Sequence, residues 1–387
     1  MTFRNQLRAL PSDVWVLLGG TLINRFGSFV APFLVIYLTH IGYSTARAGF
    51  ALGAYGAGHI VASALGGHLA DRIGRRHTIV LSMFGSAAAM LALSQMRSYG
   101  WIVALTTITA AMAELYRPAS HALLTDLVEP EHRAFAFALY RFAVNLGVAA
   151  GPALAGFLAE HSFFYLFVGD AATSLAYGVI AVIALPQGLR TYVKGERAGE
   201  ALRTALRDTA FVTFLAATFL VAVVDLQMLS TLPLHVTSIG LTPRVYGMLI
   251  SLNGALIIAF ELLIIRVTQR LPPRPVIALG YLLWGLGFSL TGVARSIPLL
   301  AGTVVIWTFG EMVASPMVSA YVARIAPERF RGRYMGLLVT SWSLSYCVGP
   351  PLGTLVYGRN PALLWTACGV LALISVVLLY TPRRPES

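Results

Sequence analysis

Five charged residues lie deep inside long apolar stretches: Arg25, Glu114, Arg117, Asp225 and Glu311. A charge at mid-bilayer costs ~2.5–3.5 kcal/mol on the insertion scale, so such residues face a polar interior and mark an ion or substrate path. Glu114 and Arg117 are three apart and share one face of a helix. Read blandly, they are an ion pair that neutralises itself. Read as chemistry, they are a carboxylate whose hold on a proton depends on which arginine is engaged, and Arg25 is a second candidate partner. Burial and neighbouring cations act in opposite directions on a carboxyl group, so a change of partner loads or releases a proton. Glu114, Asp225 and Glu311 are therefore the candidate proton-coupling residues.

The elements that position these groups follow from composition. Of 387 residues, 57% are hydrophobic and 11% charged, against about 25% charged in a soluble domain. Too few polar groups are present to cover a water-exposed globule, so the chain is an integral membrane protein. The apolar stretches run for about 20 residues, the length of a spanning helix, which excludes a barrel of short alternating strands. The net charge of +12 lies mostly in short connections between apolar stretches. It points to membrane orientation and anionic lipid rather than to nucleic acid. Cys347 and Cys368 both fall in apolar stretches, so neither a disulfide framework nor a metal site is indicated. Met1 to Asp13 is short and polar, and no cleavable leader is expected.

Twelve spans are predicted: 13–39, 47–70, 78–96, 100–127, 135–159, 163–185, 209–238, 244–267, 275–294, 298–326, 334–358 and 361–380. The one long connection, 186–208, carries Arg190, Lys194, Arg197, Arg203 and Arg207. It divides the chain into an N-terminal six-helix bundle (1–185), a linker (186–208) and a C-terminal six-helix bundle (209–387). The even-numbered connections and the termini hold 18 of the 28 Lys and Arg residues, including Arg72, Arg329, Arg331, Arg333, Arg383 and Arg384, and the odd-numbered ones hold five. By the positive-inside rule both termini and the linker are cytoplasmic. A repeat at an offset near 198 aligns Gly151-Pro152 with Gly349-Pro350, and Pro130-Glu131 with Pro327-Glu328. Six spans per half make the repeats parallel, related by an axis along the membrane normal.

Gly67-His68-Leu69-Ala70-Asp71-Arg72-Ile73-Gly74-Arg75-Arg76, between spans 2 and 3, resembles the signature loop of the major facilitator superfamily. With twelve spans and the repeat, the resemblance covers essentially the whole chain. It implies an all-α fold of two pseudo-symmetric bundles, and a conformational latch between the halves made by Asp71, Arg75 and Arg76, with Asp126 as the partner of Arg75. The repeat has Gln269 where Asp71 stands, so only the first half carries the acidic member. Arg141-x3-Asn145-x-Gly147-x3-Gly151-Pro152-x3-Gly156 is similar to the antiporter motif of the same family, with Ala155 in place of one of a closing pair of glycines. Its alternative is plain helix packing, because glycines four apart admit a neighbouring helix. The resemblance also implies that spans 1, 4, 7 and 10 line a central cavity. Arg25, Arg117, Arg141, Asn145 and Glu261 are its candidate polar lining, with Tyr140 and Trp307 as candidate aromatics. On this count the first half is net positive inside and the second net negative.

No nucleotide loop, metal-ligand spacing or nucleophile motif is visible, so no enzyme activity or cofactor is expected and an ion gradient is the energy source. The expectation is proton-coupled export of small amphipathic or cationic compounds from a monomer in a bacterial inner membrane, with small-molecule substrate, protons and lipid as partners. A proton-linked carrier of a sugar, peptide or organic anion is the alternative. A receptor that transports nothing would be expected to lose the Asp71 loop or the mid-span charges. The charge count makes a direct prediction: cysteine labelling from outside intact cells reaches positions 97 and 359 and fails at 195, and the reverse pattern inverts the orientation.

Overall fold

The computed structural model describes residues 3–8, 10–188 and 198–381. Arg190, Lys194, Arg197, Arg383 and Arg384 therefore lie outside the described residues. Among those described, twelve long helices and no strand are present. They are α1 (Ser12–His40), α2 (Thr45–Arg72), α3 (Arg75–Gln95), α4 (Tyr99–Leu127), α5 (Arg133–His161), α6 (Phe164–Ala184), α7 (Thr209–Ser238), α8 (Pro243–Thr268), α9 (Pro273–Thr291), α10 (Ile297–Ile325), α11 (Arg331–Arg359) and α12 (Pro361–Tyr380). Each bound falls within three residues of its hydropathy-based span. The fold is all-α, in two pseudo-symmetric six-helix bundles.

The repeat extends into details of the backbone. Short 3-10 turns occupy Pro130–His132 and Glu328–Phe330 at equivalent places, just before α5 and α11. Helix-interior prolines recur as Pro118 and Pro316 in α4 and α10, and as Pro152 and Pro350 in α5 and α11. The linker contributes a further helix, Ala198–Arg207, and Asp208 caps the start of α7 by accepting a 3.1 Å hydrogen bond from Phe211 N.

Hydropathy does not foresee that the first helix of each bundle is broken. α1 runs as Ser12–Phe26 and resumes at Val30, interrupted by Gly27, Ser28 and Phe29. α7 runs as Thr209–Asp225, Gln227–Ser230 and Leu232–Ser238. A break inside the bilayer frees backbone donors and acceptors that neighbouring helices must satisfy. For α1 this is done by α6, a helix that the sequence places at the periphery. The Asp170 carboxylate accepts from Phe29 N at 3.2 Å and Val30 N at 3.3 Å, capping the second piece of the helix. One turn on, Asn24 donates to Ser174 Oγ at 3.3 Å. For α7, Gln227 serves from within the break: its amide donates to Val223 O at 2.8 Å and Gly349 O at 3.3 Å, and accepts from Ser230 and Thr231.

Glycines on α5 and α11 seat these breaks. A Cβ on Gly151 would run into the carbonyl oxygen of Phe26, and one on Gly147 would meet the Phe26 backbone nitrogen at 2.7 Å. In the repeat, a Cβ on Gly353 would strike the Gln227 side chain, and Gly349 faces Val223 and Leu226. The antiporter-like segment and its repeat copy thus do the same mechanical work. Gly156 has a second neighbour, the Pro243–Arg244 backbone at the start of α8.

Contacts of that kind also shape the two compact units of the chain. The first takes in Thr242–Gly254 of α8, and the second takes in Leu38–Gly49, the end of α1 and the start of α2. The physical reason is again glycine: Gly247 lies against the Pro152 carbonyl and Gly254 against Ala149 in the first unit. Gly49 lies against Pro350 and Thr354, and Gly358 against Thr45, in the second. Small residues at these crossings let backbones approach to a distance that any larger side chain forbids.

This packing predicts opposite signs for two glycine substitutions. Gly151→Ala should lower thermal stability by about 1–3 kcal/mol through overpacking, whereas Gly302→Ala, with open space around it, should raise it by up to about 1 kcal/mol through helix propensity. Unfolding followed by size-exclusion fluorescence in detergent reads both; equal effects would refute the seat at Gly151.

Candidate functional site

The break in α1 falls directly after Arg25, and that arginine reaches α4. Arg25 Nη2 lies 3.1 Å from Glu114 Oε1, and Arg117 Nη1 lies 2.8 Å from Glu114 Oε2. One carboxylate therefore accepts from two guanidinium groups on two helices. Glu114 is buried, Arg25 is largely buried, and the Arg117 side chain is half exposed. A fourth member, not anticipated from the sequence, is Tyr116, whose hydroxyl accepts from Arg25 Nε at 2.8 Å. Its only sequence signal was its place beside Arg117. His59 on α2, whose ring packs 5.2 Å from Tyr55, lies within electrostatic reach of Glu114.

The cluster is held from below. Glu114 is fixed because α4 packs closely on α3: Ser82 donates to Met112 O and accepts from Tyr116 N at 3.1 Å. Arg25 is fixed by the α1 break, which α5 and α6 determine. A three-charge network of this kind, with both carboxylate oxygens engaged, is the arrangement in which buried charges become tolerable. Its net charge is +1, and it changes only if a partner leaves or a proton arrives.

In the second bundle, Asp225 ends the first piece of α7, two residues beyond Val223, the repeat counterpart of Arg25. Its Oδ1 accepts from Trp284 Nε1 at 3.1 Å, and Glu311 on α10 lies within its electrostatic reach. The two breaks thus carry charges of opposite sign, Arg25 in one and Asp225 in the other.

The signature loop forms a compact network inside the first bundle. Arg75 is buried and pairs with Asp126 at 3.1 Å and with Asp71 at 3.4 Å, while Arg76 donates to Leu185 O at 3.4 Å. The expected Arg75–Asp126 partnership is therefore present. Within the first bundle these contacts join α2, α3, α4 and the end of α6. Gly188, at φ +70, lets the chain pass close over Arg75.

Other expected cavity residues are placed differently. Arg141 is exposed and Asn145 half-buried on α5, and Glu261 is half-buried on α8. Trp307 does not line a cavity: it is fully buried, stacked on Phe288 with centroids 5.4 Å apart, and faces Gly287 of α9. Tyr140 likewise belongs to the core of the first bundle, edge-on to His121 at 5.0 Å. Spacing along a helix named the correct stripe for neither, because each ring sits toward its bundle's own neighbour. His235 is a packing residue, bonded to Ala294 O at 3.1 Å.

The family model for the Major Facilitator Superfamily matches residues 17–243 and 228–387. The chain belongs to that superfamily. Among relatives of this transporter, the multidrug resistance protein MdtH of Yersinia enterocolitica is 28% identical, covering 100% of this chain and 98% of the relative. A Na(+), Li(+), K(+)/H(+) antiporter of Planococcus maritimus is 23% identical, covering 86% and 87%. Among solved structures, a peptide transporter POT in complex with alafosfalin superposes with a TM-score of 0.81 at 18% identity, covering 95% of this chain and 93% of that one. At that identity the likeness concerns the fold of the transporter alone.

The latch network predicts non-additive loss. Arg75→Ala should cost the transporter about 1–3 kcal/mol by removing the buried guanidinium that Asp71 and Asp126 share. Arg75→Ala/Asp126→Ala should then cost at least about 1 kcal/mol less than the sum of the two single changes. Thermal unfolding of the four proteins checks this, and additivity would show that the pair is not energetically joined.

Proposed function

We propose that this transporter is a proton-coupled antiporter that exports small amphipathic or cationic compounds across a bacterial inner membrane, with both termini and the 186–208 linker in the cytoplasm. The observation that carries this reading is the Glu114 carboxylate shared between Arg25 and Arg117. Arg117 rides on the same helix as Glu114, so that pair persists through any rigid motion of α4. Arg25 rides on α1, immediately before its break, so a bend at Gly27 moves it relative to Glu114. A buried carboxylate that loses one of two neighbouring cations holds a proton more readily. Proton loading and the geometry of α1 are then two faces of one event, as coupling requires.

Asp225 and Glu311 supply the complementary part. Two acids in one bundle interior favour a cationic cargo or protons, so cargo and proton compete for the same neutralising role. Relatives named as a multidrug resistance protein and as a cation/proton antiporter support this direction. The +1 charge of the Arg25–Glu114–Arg117 cluster supports an organic anion as the second reading, with Arg25 as the group released to bind it.

Gradient-driven transport in sealed vesicles tests the scheme. Glu114→Gln keeps the size and loses the transferable proton, so accumulation against a gradient should fall at least about tenfold while gradient-independent exchange survives, the split expected when an energetic link rather than binding is removed. Glu311→Gln and Asp225→Asn are the comparisons. If all three still drive pH-linked accumulation, the mid-span acids are structural.

A further inference from the structure

The second bundle contains a cavity of about 190 Å³ lined by residues of α7, α9, α10 and α11. Its walls are aromatic and aliphatic, with Tyr281, Trp284, Trp342, Met335 and Leu338 prominent, and three hydroxyl residues, Thr218, Ser315 and Ser319, interrupt them. Trp284 and Trp342 stand 6.3 Å apart, centroid to centroid, inclined at 43°. They are in contact as a tilted pair and form one continuous aromatic wall of the cavity. Thr218 and Tyr281 satisfy each other at 2.9 Å, so the wall they form presents little unmet polarity. None of the lining residues is charged.

The charge stands just beyond one end. Thr218, Val221 and Asp225 follow one face of α7 at spacings of three and four, and Glu311, Ser315 and Ser319 follow one face of α10. α7 and α10 run in opposite directions through the membrane, so stepping from the lining residues to Asp225 and to Glu311 leads toward the same deep end. Each acid lies one turn, about 6 Å, past the nearest lining residue on its helix. Trp284 joins the two regions physically: its ring lines the cavity and its Nε1 holds the Asp225 carboxylate. An aromatic cavity ending at two carboxylates is complementary to a molecule with an apolar ring and a cationic head.

We propose that this cavity is a binding site for monovalent organic cations with a single aromatic ring, the ring against the wall that Trp284 and Trp342 form and the cationic head toward Asp225. The proposal rests on the export reading only in calling the ligand a cargo. The volume limits the body to about the size of one substituted ring, so bulkier cations would protrude past Ser319 and Val339, the exposed residues of the lining.

Equilibrium binding to the purified full chain in nanodiscs at fixed pH, with no gradient, tests it. The probe is benzyltrimethylammonium, whose charge is permanent, and its neutral carbon isostere neopentylbenzene is the control; calorimetry and native tryptophan fluorescence read both. Saturable binding of the cation is expected, at least tenfold tighter than the isostere, and Asp225→Asn should abolish that preference without abolishing binding of the ring. Ser319→Phe, which places a ring in the cavity from an exposed position, should weaken both ligands at least tenfold. Val339→Phe fills the cavity from α11 and serves the same purpose if the first variant does not fold. Absence of saturable binding, equal affinity for cation and isostere, or unchanged binding in a folded cavity-filling variant would overturn the proposal. Because no gradient is applied, failed binding leaves the Glu114 scheme standing, and a failed Glu114→Gln experiment with intact binding leaves this site standing.

Discussion

A helix that breaks inside a bilayer must have its exposed peptide groups satisfied by protein, and much of this transporter's interior answers that requirement. In the first bundle Asp170 accepts from the two amides that restart α1, Thr173 occupies the space a Gly27 side chain would need, and Gly147 and Gly151 bring α5 against Arg25 and Phe26. Remove any of these and α1 would either straighten or leave bare donors in an apolar medium. What the break achieves is placement. Arg25 ends the first piece of the helix, and there it meets both Glu114 and Tyr116.

The second bundle solves the same problem with different chemistry. No acid stands at the position equivalent to Asp170, which is Cys368 at the repeat offset. The break after Asp225 is instead stitched by Gln227, whose amide both donates and accepts and whose bulk is admitted by Gly353. A neutral amide suits this place, since a carboxylate here would add a third acid near Asp225 and Glu311. The architecture is therefore conserved between the halves at the level of backbone and glycine, while the charge is exchanged. Arg25 and Asp225 both stand beside the break of their helix, two residues apart in repeat register and opposite in sign.

Much of this was legible in the residue string, and the limit is physical. Spans were readable because bilayer thickness fixes their length, and the Gly-Pro segments because both halves repeat them. The Glu114–Arg117 pair followed from spacing alone, and Arg25 from its cost in the membrane. The breaks were not readable. The α7 break falls at Leu226, which has no unusual propensity, and Gly27 is one of 36 glycines. Nor does the residue string place Asp170 beside α1, because the contact of α6 with the break is tertiary. The packing of Tyr140 and Trp307 was hidden for a related reason: a helical stripe is wide enough to face two neighbours, and only the tertiary packing chooses between them. Glycine crossings at Gly49 and Gly247 were equally hidden, since they are contacts between distant segments.

The two bundles differ in how their charges can be balanced, and this gives the charge exchange a use. In the first, Glu114 is already matched by arginines from its own bundle, so the cluster is complete without a ligand and is disturbed by one. In the second, Asp225 is met by the neutral Trp284 donor and lies near a second acid, so balance invites something that arrives from outside. On the proposed reading a proton belongs to the first arrangement when Arg25 moves, and a cation or proton belongs to the second at rest. Both depend on a broken helix, because only a helix that can bend at mid-membrane moves one charge of a network while leaving the others in place.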